Sequence, residues 1–94
     1  MNKIISQGNE YPIEEIVKKQ YDEYPNPRPI GKVYPEHVTE WNYISKDNMT
    51  IPEYTEFLKD NDIELYGYIS FRKFRIKNNN EIYYRHVAYE RWMD

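Results

Sequence analysis

The chain has 94 residues and a formal net charge of −3, with 16 acidic side chains against 13 basic ones and no cysteine. A chain of this length builds one modest core, burying roughly 60–65% of its unfolded surface, and is read as a single domain. Disulfides and thiolate metal sites are excluded, and no stretch is apolar enough to span a bilayer as a helix.

The opening MNKIISQGNEYP turns polar too soon for a secretory signal, so a cytoplasmic protein is expected. Ile, Asn, Lys and Tyr supply 39 residues while alanine occurs once, at Ala88. That bias fits AT-rich coding, as in a low-GC bacterium or its phage or mobile elements. The eleven tyrosines suit half-buried and contact surfaces, because a phenol brings large area, few rotors and one polar tip.

Residues 1–10 read as a loose arm or short edge strand. Pro12 then opens a predicted helix, with Glu14 and Glu15 in its first turn and Ile13, Ile16, Val17 and Tyr21 on one stripe. It should stop near Glu23, because Tyr24 precedes Pro25. YPNPRPIG, from Tyr24 to Gly31, reads as a proline-rich linker. VTEWNYI, Val38 to Ile44, is a predicted strand. Thr50 and Glu53 form a capping box that opens a helix to about Lys59, with Ile51, Tyr54, Phe57 and Leu58 on its buried face.

Residues 63–71 are ambiguous. Ile63, Leu65, Gly67, Ile69 and Phe71 alternate as in a strand, yet Asp62 is a good N-cap and Leu65, Tyr66 and Ile69 make a helical face. Lys77 to Glu81 is a turn either way, since asparagine tolerates left-handed backbone, with Phe74–Ile76 and Ile82–Tyr84 pairing across it. The ending YYRHVAYERWMD reads as one strand, or as a strand followed by a helix from Val87 to Met93.

Catalysis is not indicated. His37 and His86 lack any catalytic or metal-ligand spacing and read as surface residues, and no phosphate-cradling glycine loop is present. No cofactor and no metal are expected. The stronger pattern is FRKFRIKNNNEIYYR, where basic and aromatic residues interleave across a hairpin. Positions 72–91 carry Arg72, Lys73, Arg75, Lys77, Arg85 and Arg91 against Glu81 and Glu90, a local charge of +4 that leaves −7 on the rest. Such segregation points to a polyanion at one end and a different partner at the other.

Met49 to Met93 resembles the small winged helix-turn-helix of phage excisionases and their MerR-like relatives. TIPEYTEFL stands for the first helix, LYGYI for the core of the second, RIKNNNEIYYR for the wing and AYERWM for the closing helix. The sequence departs from that pattern in its DND turn, in Gly67, and in a second helix without a basic residue before Arg72.

The expected fold is α+β, with two or three helices and a C-terminal antiparallel β-hairpin, either winged-helix-like or a small three-stranded sheet with helices. The first expected function is that of a DNA-binding accessory or regulatory protein. Duplex DNA would meet Arg72, Lys73, Arg75, Lys77, Arg85, Tyr66 and Tyr68. The alternative is a protein-binding inhibitor or adaptor acting on a host protein through Tyr21, Tyr24, Glu14 and Glu15.

Overall fold

A computed structural model describes residues 2–25, 31 and 34–93. The chain opens with a hairpin of β1 (Lys3–Ser6) and β2 (Asn9–Pro12). Its two-residue turn places Gln7 at φ 50° and Gly8 at φ 78°, the double positive φ of a type I′ turn. Then come β3 (Val17–Glu23), β4 (Glu36–Ser45), the helix α1 (Ile51–Asp60), β5 (Tyr68–Asn78) and β6 (Glu81–Met93). These four strands form one antiparallel sheet in the order β3-β4-β6-β5. The class is therefore mainly β, with one helix among the described residues. This corrects the expected two or three helices.

The helix predicted from Pro12 to Glu23 is absent. Pro12 ends β2, Glu14 turns the chain at φ 62°, and the Glu14 N–H donates to the Ile44 carbonyl at 2.7 Å. Beyond the turn, neighbouring side chains part to opposite faces: Ile16 packs under α1, while Val17 packs against the β1–β2 hairpin. The helical spacing of Ile13, Ile16, Val17 and Tyr21 therefore joins residues of a turn to those of an edge strand and makes no single face. Most of the predicted proline-rich linker, Asn26 to Ile30, lies outside the described residues.

Residues 63–71 hold no recognition helix. Asp62, at φ 62°, turns the chain out of α1, and Ile63 and Leu65 tuck beneath that helix. At Gly67, φ is 84° and a β-carbon would lie 2.8 Å from the Arg91 carbonyl oxygen, so no helix and no larger residue fits. The C-terminal helix from Val87 to Met93 is also replaced by strand, because β6 lies between β4 and β5 and bonds to both. With these two helices gone, the winged-helix arrangement does not form. The expected turn at Asn79 and Asn80, the strand through Val38–Ile44 and the Thr50–Glu53 capping box are present.

Paired residues share a face, so the register divides the core into two layers. On one face, α1 sets Tyr54 and Leu58 onto Ala88, with Trp41, Tyr43 and Phe71 around them. On the other, Ile4 and Tyr11 of the first hairpin cover Ile44 and Tyr83, while Val38, Val87 and Tyr89 pack with Phe74. Both faces of β6 are thus covered through its middle, where every residue from Arg85 to Glu90 is buried. No helix among the described residues is long and apolar enough to cross a membrane.

Candidate functional site

Strand β5 is an edge, bonded to β6 alone. Its hairpin has a two-residue loop, Asn79 and Asn80, both at positive φ, closed by the pair Asn78 and Glu81. In such a hairpin the closing pair is hydrogen-bonded, and bonding alternates from there. Even-numbered β5 residues therefore bond to β6. Ile69, Phe71, Lys73, Arg75 and Lys77 turn their backbone N–H and C=O groups to the open side, with side chains on the α1 face.

The charges follow the strand. Arg72, Lys73, Arg75 and Lys77 are all exposed, and among the described residues none lies within ion-pair distance of a carboxylate. The Arg72 guanidinium rests 4.9 Å from the centre of the Phe74 ring, and Lys73 Nζ donates to Asn48 Oδ1 at 2.6 Å. Row and face differ: Lys73, Arg75 and Lys77 share the α1 side, whereas Arg72 shares the opposite side with Arg85.

Between β5 and α1 runs an apolar groove with two hollows that meet at Phe71. One, of about 230 Å³, is lined by Met49, Ile51, Tyr54 and Phe71, with Lys73 and buried His86 beside them. The other, of about 460 Å³, lies among Ile63, Leu65, Ile69 and Phe71, with Thr55, Lys59 and Glu64 at its sides. The groove exists because α1 turns Tyr54 and Leu58 down into the core, which leaves Ile51 on its flank and 56% exposed. The capping box holds this end of the helix: Thr50 N–H donates to Glu53 Oε1 at 2.8 Å, and that bond keeps the Glu53 carboxyl below its usual range.

Arg85 does not belong to this edge. It is 4% exposed and built into the far face, donating to Asn42 Oδ1 at 3.0 Å and Ser6 Oγ at 3.1 Å. Its guanidinium stands 3.7 Å from Glu40, between the rings of Tyr11 and Phe74 at 4.5 and 4.7 Å. A polar cleft of about 420 Å³ opens beside it, lined by Lys19, Tyr21, Arg72 and Tyr89 among others. Tyr21 donates to Glu40 there, and burial, reinforced by that carboxylate, pushes its phenol well above the ordinary range. The expected exposed phosphate ligand at position 85 is thus corrected to a buried structural arginine. His86, read as a surface residue, is 3% exposed.

The remaining expected residues are dispersed. Tyr66 and Tyr68 are exposed at the start of β5, and Tyr66 N–H is held by the buried Glu90 carboxylate at 2.7 Å. Tyr24 is exposed beyond β3, and Glu14 and Glu15 lie in the turn between β2 and β3. Tyr21, Tyr24, Glu14 and Glu15 therefore do not gather into one patch with β5. Ile51, which walls the groove, was read only as core, and Phe71 only as one aromatic of the basic hairpin. Their place on a free edge was hidden until the strand order was known. Among the described residues no three His, Asp or Glu side chains converge to hold a metal. No family model, curated protein or solved structure matches the chain.

Proposed function

We propose that this is a non-catalytic, cytoplasmic protein-binding module, an inhibitor or adaptor, that docks its partner on the β5 edge and the adjoining groove. One observation carries the reading: an eleven-residue edge strand with a row of cations that have no carboxylate partner among the described residues, beside an apolar groove. Apolar hollows rimmed by charge suit a protein surface, where buried anchors give affinity and charge gives selection. The reading moves the docking surface from Tyr21, Tyr24, Glu14 and Glu15 to the opposite edge of the sheet.

A selection from a displayed random-peptide library tests it. The wild-type protein is expected to enrich a family of sequences that is lost when Arg72, Lys73, Arg75 and Lys77 are replaced by glutamate. Equal enrichment by both proteins, or none, overturns it.

A second reading, duplex DNA along the same cations with Tyr66 and Tyr68 at one end, is favoured by the row of exposed, unpaired charge. Against it, the apolar hollows beside the row give a phosphate backbone nothing to bind. A salt titration separates the two. Phosphate contacts would give a log–log slope of roughly −0.9 for each cation engaged, and the protein-binding reading expects no duplex binding even near 50 mM salt.

A further inference from the structure

We infer that the partner segment is an extended acidic peptide that adds to β5 as a fifth strand and places apolar side chains in the groove under α1. The inference rests on the protein-binding reading and specifies how binding occurs.

Backbone supplies the first half of the argument. Ile69, Phe71, Lys73, Arg75 and Lys77 offer N–H and C=O groups unpaired among the described residues, in a bulge-free register along β5. An incoming strand satisfies them with main-chain bonds, whatever its sequence, and selects its sequence through alternate side chains. A second copy of this chain is a poor occupant. Pairing β5 with β5 sets Arg72, Lys73, Arg75 and Lys77 against their own kind, and directly opposed like charges destabilise a strand pair. The same row attracts carboxylates. The edge thus rejects itself and accepts acid.

Side chains supply the second half. Alternate residues of an added strand lie about 7 Å apart on one face, so those on the α1 side pass over Ile69, Phe71, Lys73, Arg75 and Lys77 in turn. The first two border the hollows and the last three are cations. The matching peptide carries apolar residues toward the Ile69 end and Asp or Glu toward the Lys77 end. The hollow beside Ile51 holds about 230 Å³, enough for one aliphatic or aromatic side chain, since a cavity of about 150 Å³ accepts benzene.

Fluorescence anisotropy with a labelled synthetic peptide, in which Asp, Asp, Val and Val alternate with Thr, tests this. Arg75→Ala removes one exposed charge and should weaken binding about threefold. Arg75→Pro also removes an edge N–H that β6 does not use, and should weaken binding more than tenfold. Ile51→Glu should do the same by placing a carboxylate on the groove wall. Peptides N-methylated on one alternate set of residues should lose binding, and those methylated on the other set should keep it within about threefold. That comparison leaves the protein unaltered, so it stands even if the proline variant unfolds. Equal binding by the two methylated sets overturns strand addition. So does failure of every acidic peptide while the library selection still enriches sequences, which leaves the protein-binding reading standing. An empty selection removes that reading as well.

Discussion

The two strands of the C-terminal hairpin carry similar residues to different ends. β6 contributes Arg85 and Arg91, and both stand near carboxylates of β4, Glu40 at 3.7 Å and Glu36 at 3.8 Å. β5 contributes Arg72, Lys73, Arg75 and Lys77, and none of these has such a neighbour among the described residues. The chemistry of the side chains is alike, and the position of the strand decides what they do. A central strand has a neighbour on each side to supply counter-charges, and its faces are covered. An edge strand keeps one side open, and charge there guards against unwanted pairing while remaining available to a partner.

Breaking the buried side of the comparison should produce the largest effect. Arg85→Leu strands Glu40 at a site where its side chain is only 12% exposed, and removes donors to Asn42 and Ser6. Loss of one partner from a buried pair costs about 3–5 kcal/mol, and the bonds that Tyr21 and Asn42 still give Glu40 put the expectation near the lower figure. Denaturant unfolding measures it. Adding Glu40→Leu should recover much of the loss, because two apolar groups leave no buried charge. An Arg85 effect as small as that of an exposed β5 arginine would end the distinction.

Gly67→Ala comes next. Its β-carbon would sit 2.8 Å from the Arg91 carbonyl at φ 84°, so backbone must move where β5 enters its pairing with β6. Strain of this kind costs of order 1–3 kcal/mol. A gain in thermal stability, as expected for glycine replaced in an ordinary helix, would contradict the positive-φ backbone and close approach described at Gly67.

What the sequence disclosed and what it concealed divide along the same line. The capping box at Thr50 and Glu53, the asparagine turn and the strand through Val38–Ile44 were legible because each is set by nearby residues. Strand order was not. Nothing local in EIYYRHVAYERWM states that this segment lies between two others, so its apolar residues on both faces left one strand and a strand followed by a helix both open. The segment from Ile13 to Tyr21 misled for another reason, since it joins a turn to an exposed edge strand, and its apolar residues meet different layers of the core. The cations between 72 and 91 were found, but their separation into one free row and a buried arginine depends on the pairing register. The groove was out of reach, because it exists only where α1 and β5 meet.

Acid should weaken the fold through β6. His86 Nε2 accepts the Met49 N–H at 3.0 Å, so the ring is neutral with its proton on Nδ1. Burial, aided by the Lys73 charge from β5, holds its pKa below the ordinary value of 6.5, against the opposing pull of the Met49 and Tyr43 backbone and of Asp47. The unfolded chain takes up a proton below about pH 6.5 that the folded ring refuses until its own lower pKa is passed. Stability should therefore fall as pH drops below 6.5 and level off further down, with a slope of at most about 1.4 kcal/mol per pH unit from this group. His86→Gln retains an acceptor and should remove that part of the slope. Denaturation midpoints across pH 7 to 4 for the two proteins test it, and identical pH profiles would show that His86 does not contribute.

The smallest effect on stability should come from the exposed side. Arg75 and Lys77 project from a solvated edge, with no hydrogen bond or ion pair to lose among the described residues. Arg75→Ala with Lys77→Ala should move unfolding by no more than about 0.5 kcal/mol. The consequence should appear in association instead. With those charges gone, positions 74–78 form an uncharged stretch of edge whose open backbone groups can pair with another copy. Sedimentation velocity over a range of concentrations should show the double variant self-associating where the wild type does not, with unchanged thermal unfolding at the lowest concentration. A loss above about 1 kcal/mol would make these cations structural, like Arg85. An unchanged sedimentation profile would mean that they do not guard the edge, and their freedom from counter-charges would then have to be explained by a partner alone.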